Sequence, residues 1–359
     1  MKNVSLLLIT AILLACHSGP EKDSPVFQRI DFHAHYNYSR DSLPALLQKW
    51  NMQAVLILVA LGDSAKDNSR WEAMKAHRQA FPDRFFLCSG FDGTGIDDPA
   101  YAEKKISMIR AHIEAGAKMV KVWKNFGMVT KDASGKYIQI DDPRLQPVWD
   151  FLADEGIPVI AHIGEPLQAW RELEEGNPHY NYFRDHPQYH AYLHPEIPRY
   201  EEIIAARDNW IRKNPRLTIV GAHMGSMSHD VDMVAARLEE FPNLYVETAA
   251  RVGDLTRQDY DKMHNFYIRY QDRILYGTDL GTSEPQDTRS AEEQKNEMDY
   301  FDKILTLDWQ FFSGKGPMTY DSPMISFPVE THGLELPDSV LRKFYYDNAL
   351  KILMPEKGR

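Results

Sequence analysis

Eight short apolar runs recur along this chain, and segments with helical periodicity separate them. The runs occupy residues 29–32, 54–59, 84–90, 118–123, 159–162, 218–222, 244–248 and 274–277. Each has strand length and is bounded by charges, glycines or prolines. Between them, residues 101–115 place Ile106, Ile109 and Ile113 at spacings of three and four. Residues 143–155 open after Asp141-Asp142 and stop at Gly156. Residues 43–50, 69–80, 201–213, 231–240 and 259–270 also read as helices, and residues 338–354 as a closing helix. Strand–helix alternation of this kind predicts a parallel sheet. Eight units in one domain favour a closed (β/α)8 TIM barrel over an open doubly wound sheet. No Gly-rich phosphate loop follows the first run, which counts against a dinucleotide fold.

Two connections exceed what a minimal barrel needs. Residues 164–199, after the fifth run, carry His179, His186, His190 and His194 among many Tyr and Pro residues. Residues 280–337, after the eighth, are rich in Phe, Trp, Met and Pro. Both leave the carboxyl ends of strands, where barrel active sites are built, so both read as lids or specificity walls. The four histidines read as polar lid surface rather than a second metal site, because Pro187 and Pro195 oppose a regular helix there. The aromatic-rich stretch 309–327 would cover the pocket or contact a neighbouring subunit in a homo-oligomer.

Residues 1–15 stand apart from the barrel. Lys2 precedes an apolar run from Val4 to Ala15, too short to span a bilayer comfortably and placed like the hydrophobic stretch of a signal peptide. It ends Leu13-Leu14-Ala15-Cys16, which resembles the lipobox of bacterial lipoproteins. That resemblance implies cleavage before Cys16, acylation of its thiol, an extracytoplasmic location and, with His17 in place of Asp, sorting to the outer membrane. An ordinary secretory peptide is the competing reading. Residues 16–25 read as a flexible tether and residues 26–359 as one domain. With Cys16 acylated, Cys88 is the remaining thiol, and its apolar surroundings Phe85-Phe86-Leu87 mark a core cysteine rather than a nucleophile. The net charge of −11 and the lack of a long basic stretch exclude nucleic acid as a partner.

The chemistry-bearing residues cluster at the ends of the runs. His33 and His35 are two apart, which puts both on one face of a strand, directed to the barrel mouth. Two imidazoles held so share one cation, at about 2.0–2.1 Å each for zinc. His162 and His223 close the fifth and sixth runs, each after an alanine and before a glycine-containing turn. Asp279 follows the eighth run and, in a closed barrel, lies beside the first. A carboxylate buried there needs a cation or good hydrogen bonds.

The set Asp31-Phe32-His33-Ala34-His35, His162, His223, Tyr276-Gly277-Thr278-Asp279 and Asp347-Asn348-Ala349 resembles the amidohydrolase superfamily. The likeness is to its amidohydrolase-related (type 2) branch, which includes aminocarboxymuconate-semialdehyde decarboxylase-like enzymes. It covers nearly the whole chain after the N-terminal segment. It implies that His33, His35, His162 and Asp279 bind one divalent metal, zinc first, with manganese or iron fitting the same donors. His223 is then a further ligand or a general acid/base. Three imidazoles and one carboxylate leave room for a water whose pKa the metal lowers, giving hydroxide. Asp279 would take that water's proton and return it to the leaving group, while His223 polarises the substrate carbonyl.

Lys121 stays open between two roles. Some members of the superfamily carry a carboxylated lysine on the fourth strand that bridges two metals. The alternative is an ammonium paired with Asp279 or Glu247 or bound to a substrate carboxylate, and the one-metal form of this branch favours it. Arg251 suits bidentate capture of a substrate carboxylate or an ion pair with Asp254 or Glu247. Trp123 and Glu165 are further pocket candidates, Lys124 reads as a loop charge, and Asn348 as a structural brace. The resemblance implies a metal-dependent hydrolase that attacks an amide, ester or lactone carbonyl of a small molecule. A decarboxylase of the same branch would keep the site and change the reaction. A non-catalytic binding or structural envelope lipoprotein is the third reading, opposed by the competent residue type at every expected metal position.

Overall fold

A computed structural model describes residues 27–282 and 284–355. The expected signal segment, the lipidation site Cys16 and the tether up to Pro25 lie outside these residues. All eight expected strands form, as β1 Arg29–Ala34, β2 Met52–Ile57, β3 Phe85–Gly90, β4 Ala117–Val122, β5 Val159–Ala161, β6 Ile219–Gly221, β7 Leu244–Glu247 and β8 Ile274–Leu275. They pair in parallel and in chain order. β8 returns to β1 through Phe32 N to Tyr276 O at 2.9 Å, Asp279 N to His33 O at 2.8 Å and His35 N to Leu280 O at 2.7 Å, which closes the (β/α)8 barrel.

Alternate residues fill the barrel interior. Ile30, Phe32, Val55, Ile57, Cys88, Met119, Ile160, Val220 and Leu275 form one buried cluster, plugged at the amino end by Ala349, Ile352 and Leu353 of the last helix. Cys88 is thus a core residue, and burial pushes its thiol far above the usual range. Asn348 braces that plug by donating to Gln271 O and Ile274 O, both at 2.8 Å. The opposite faces of the strands pack against the surrounding helices through Ala54, Leu87, Val120, Val122, Val159 and Ile219.

One irregularity in β1 builds the mouth. Asp31 pairs with Ala54 but Ala34 pairs with Leu56, so β1 spends three residues where β2 spends two. The bulge lets inward Phe32 be followed at once by inward His33. Bulges commonly re-aim side chains in this way beside active sites.

The connection 280–337 differs from expectation. It contains the 23-residue helix Ala291–Ser313 and an antiparallel hairpin, β9 Lys315–Tyr320 and β10 Val329–Leu334. Trp309, Phe311 and Phe312 are buried in the outer core rather than over the pocket. A Ser290/Glu293 capping box starts this helix, and that S-x-x-E signal was present in the sequence. The hairpin tip is tied to the insertion after β5, with Asn181 N donating to Ser326 Oγ at 2.8 Å and Ser326 N to Pro178 O at 3.1 Å, while Gly281 and Thr282 at the start of the connection line the cavity. Among the described residues no helix is long and apolar enough to cross a membrane.

Candidate metal centre

His33, His35 and Asp279 meet at the barrel mouth. His33 Nε2 lies 3.2 Å from His35 Nε2 and 3.3 Å from Asp279 Oδ1, and His35 Nε2 lies 3.1 Å from that same oxygen. The other ring nitrogens fix the tautomers. His33 Nδ1 faces the Glu247 carboxylate at 2.8 Å, and His35 Nδ1 faces the Ile57 carbonyl at 3.2 Å. Both partners only accept, so both Nδ1 atoms carry the proton and both Nε2 atoms present bare lone pairs. Two lone pairs and a carboxylate oxygen converging this closely repel one another unless a cation joins them. The Lys121 ammonium does this in part, with Nζ 3.2 Å from His33 Nε2.

Glu247 was not singled out as a member of the site from sequence, yet it organises it. Fully buried at the end of β7, it accepts from His33 Nδ1, from His223 N at 2.8 Å and from Ala249 N. The signal was a lone carboxylate at an inward position of an apolar strand. A carboxylate behind a ligating imidazole orients the ring and raises its basicity.

His223 and His162 form the second half of the mouth. His223 Nδ1 lies 2.7 Å from Ala249 O, so it carries the proton there. Its Nε2 lone pair accepts from His162 Nδ1 at 3.1 Å. That assignment leaves His162 Nε2 bare, and this atom is buried without a hydrogen-bond partner. His162 stands one imidazole away from the His33–His35–Asp279 group rather than inside it; the donor atoms of those three all lie within 4.8 Å of one another. Burial, with the Lys121, Lys124 and Arg251 cations nearby, holds His162 well below the usual imidazole range. Burial and the neighbouring His162 and Arg251 do the same to His223. The rings are therefore neutral at pH 7, the form that ligates metal.

Lys121 is buried on the inward face of β4. Burial lowers its ammonium to about 8, against the pull of Glu247 and Asp279. Arg251 is also buried; its Nη1 donates to Ala250 O at 2.9 Å and its Nε has no partner. The expected alternative partners are otherwise engaged. Asp254 bonds His179 and Ser228, and Glu247 bonds His33 and His223. Lys124, expected as a loop charge, is buried instead. It forms an ion pair with Glu165, donates to Tyr182 Oη at 3.0 Å, and sits 3.6 Å from the Tyr189 ring centroid. Tyr182 and Tyr189 come from the insertion after β5, where no sequence pattern distinguished them from other lid aromatics.

A cavity of about 630 Å³ opens over the site, lined by His33, His35, Asp279, Lys121 and His162 and, on the lid side, by Trp123, Tyr182 and Tyr189. His223, Arg251 and Glu165 lie behind this lining. The lid histidines hold the insertion together and bind no common point. His179 bonds Asp254 at 3.1 Å, His190 bonds Arg171 O at 2.8 Å, and His194 bonds Pro187 O at 3.0 Å. His179 and His190 are buried, so they are internal struts rather than lid surface.

A closed parallel barrel with a His-X-His pair at the end of its first strand and an aspartate just after its eighth defines a class of metal-dependent barrel proteins. The chain belongs to the amidohydrolase family, in its type 2 form: that family's model matches residues 30–354. Metal-dependent catalysis belongs to the family as a whole. The fold is shared with 2,6-dihydroxybenzoate decarboxylase from Rhizobium, at 14% identity and a TM-score of 0.52, over 91% of this chain and 98% of that one. An uncharacterized TIM-barrel protein from Bordetella bronchiseptica is similar at 16% identity and a TM-score of 0.51, again over 91% and 98%. No curated protein matches the chain. The residues present fit a divalent metal on their own chemistry: converging bare nitrogens, a carboxylate oxygen and an orphaned buried imidazole nitrogen are an N/O donor set.

Proposed function

We propose that this protein is a metal-dependent hydrolase acting on a small molecule that carries a carboxylate. The convergence of His33 Nε2, His35 Nε2 and Asp279 Oδ1 at the cavity floor carries the reading. His33, His35 and Asp279 would hold the metal, zinc first, and His162 would complete the set by turning its bare Nε2 toward them. A bound divalent ion would supply Lewis acidity to an ester, lactone or amide carbonyl and to a water molecule. Asp279 takes the proton of the attacking water and returns it to the leaving atom. His223 offers no N–H to a developing oxyanion, because its Nδ1 proton is held by Ala249 O and its Nε2 accepts from His162 Nδ1, so it serves the reaction by holding the His162 ring. Lys121, on the cavity lining, orients the substrate carboxylate, with Arg251 adding its charge from behind the lining and Trp123 and the lid tyrosines forming the wall. Lys121 stays an ammonium in this reading, which supports one metal; carboxylated, it would bridge two.

A decarboxylase is the second reading. The buried Lys121 ammonium on the cavity lining favours it, because it would hold a carboxylate that is itself the reacting group, with the Lys124 and Arg251 cations nearby. The likeness in fold to 2,6-dihydroxybenzoate decarboxylase agrees with it. The deciding experiment incubates metal-loaded protein with a panel of lactones, esters, amides and carboxylates in ¹⁸O-labelled water. Label in the product acid supports hydrolysis. Carbon dioxide release without label replaces it with decarboxylation, and a preparation that binds no stoichiometric metal removes both.

The lipobox-like Leu13-Leu14-Ala15-Cys16 supports an extracytoplasmic enzyme anchored by an acylated Cys16. Labelled palmitate should enter the intact chain and not the Cys16→Ser variant.

A further inference from the structure

Four consecutive residues after β6 turn the wrong way. His223, Met224, Gly225 and Ser226 have φ of 57°, 56°, 62° and 60°. They form a left-handed turn, with Ser226 N donating to His223 O at 3.0 Å and Met227 N to Met224 O at 3.2 Å. Each non-glycine step of such a run is disfavoured by the approach of Cβ to the following carbonyl, and runs of this length are not expected from L-residues. Strain of this kind persists only where the surroundings over-determine it.

The surroundings are specific. Arg207, fully buried on the helix Tyr200–Lys213, donates through Nη1 to Gly225 O. Its guanidinium is itself held by Asp208 Oδ1, at 3.0 Å from Nε and 2.6 Å from Nη2. Two helical turns earlier on the same face, the Tyr200 hydroxyl donates to Ser226 O at 2.8 Å. The Ser226 hydroxyl donates to Gly164 O at 3.0 Å. The two glycines are fitted to this packing. A Cβ on Gly225 would lie 3.2 Å from Arg207 Nη1, and one on Gly221 would lie 3.1 Å from Gly225 Cα. The helix that supplies both donors begins where the lid insertion ends, and Trp170 of that insertion packs edge-on against the Tyr200 ring at 5.4 Å.

We infer that Arg207, assisted by Tyr200, is a positioning residue for His223. By holding the turn left-handed, it keeps the His223 ring between Ala249 O and His162 Nδ1, and so fixes the proton positions of both imidazoles. Without it the turn relaxes toward ordinary backbone geometry, the His223–His162 contact opens, and His162 loses the tautomer that bares Nε2. This rests on the reading of His162 and His223 as working groups of the metal site.

The test uses the protein labelled with ¹⁵N-histidine, with Arg207→Met, Arg207→Lys and Tyr200→Phe variants. Ring ¹⁵N–¹H correlations report the tautomers, and competition with a chromophoric chelator reports zinc affinity, both at a temperature where every variant is folded. In Arg207→Met the sheltered Nδ1–H signal of His223 should disappear while that of His33 on Glu247 remains, and zinc affinity should fall about tenfold, as for the loss of an outer partner of a ligand. Arg207→Lys should restore most of both. Tyr200→Phe removes one hydroxyl, keeps the fold readable if Arg207→Met does not accumulate, and should give a smaller change of the same sign. Unchanged ring signals and zinc affinity in a merely less stable variant would overturn the inference. Failure of the unmutated protein to bind zinc would instead remove the metal reading of the site and leave the ring measurement standing.

Discussion

The seam where β8 meets β1 has two faces, and they treat buried polar groups in opposite ways. On the outer face Asp31 accepts from Thr278 N at 3.0 Å, Thr278 Oγ1 at 2.6 Å and His33 N at 3.2 Å. Behind it Asp308 accepts from the Tyr276 hydroxyl at 2.9 Å and the Tyr320 hydroxyl at 2.8 Å. Every carboxylate there faces donors. On the inner face, a residue away along the same two strands, Asp279 faces two bare imidazole nitrogens. Asp31 and Asp308 are shut away from solvent, whereas Asp279 is 29% exposed toward the cavity, yet exposure by itself does not mark a ligand. The sign of the partner does: donors close a site, whereas converging acceptors leave it one cation short.

The largest expected effect breaks the inner face. Asp279→Asn replaces an anionic donor with a neutral one, and zinc affinity should fall more than a hundredfold, since four-donor protein sites bind zinc with roughly 10–16 kcal/mol in total. Metal analysis after dialysis checks this; retention of one zinc per chain would show that the triad is not the site. Glu247→Gln is the next step down. It keeps the shape but weakens the hold on His33 Nδ1, and affinity should drop by about 10–100-fold. If Glu247→Gln and wild type bind zinc equally, the carboxylate serves only the backbone amides of His223 and Ala249.

Asp31→Ala crosses to the outer face. It strips acceptors from the Thr278 amide and hydroxyl and should cost about 2–3 kcal/mol in urea unfolding, with zinc affinity changed by less than about tenfold. A loss of zinc as large as that of Asp279→Asn would mean that the two faces are one unit.

Much of this seam was legible because it obeys periodicity. The eight runs gave every strand within about two residues, and the His33/His35 spacing with Asp279 after the eighth run placed those three at one point of the mouth. What stayed hidden depends on departures from periodicity or on partners distant in sequence. The bulge in β1 that brings His33 to the mouth next to inward Phe32 has no composition cue. Glu247 lies 214 positions from His33, and its role exists only once the barrel closes. The left-handed turn at His223 contains three side-chain-bearing residues, so nothing short of its supports at Arg207 and Tyr200 announces it. The helix Ala291–Ser313 was the opposite case, legible from its capping box but obscured by the aromatic residues that made its region read as a lid.

The smallest expected effect sharpens the outer face alone. Burial pushes the Asp308 carboxyl from its usual 3.8 up to about 7, with the Tyr320 and Tyr276 hydroxyls pulling it back. A carboxyl whose folded value is raised binds its proton more tightly in the folded chain than in the unfolded one. Its contribution to stability is therefore full below about pH 4 and is lost as pH rises toward 7. Asp308→Asn keeps an oxygen acceptor for the hydroxyls and never ionises. Relative to wild type, it should thus gain about 1–2 kcal/mol between pH 4 and pH 7.5, a fraction of the full shift because the site relaxes around the charge. Urea unfolding at pH 4, 5.5 and 7.5 reads the difference. A difference that does not change with pH would mean that Asp308 is ionised throughout and that the tyrosine hydroxyls, as donors, outweigh burial. Zinc affinity should be the same in both proteins at pH 7.5, because this carboxyl reaches the metal-facing side of β8 only through Tyr276, whose side chain lies on the other face of the strand.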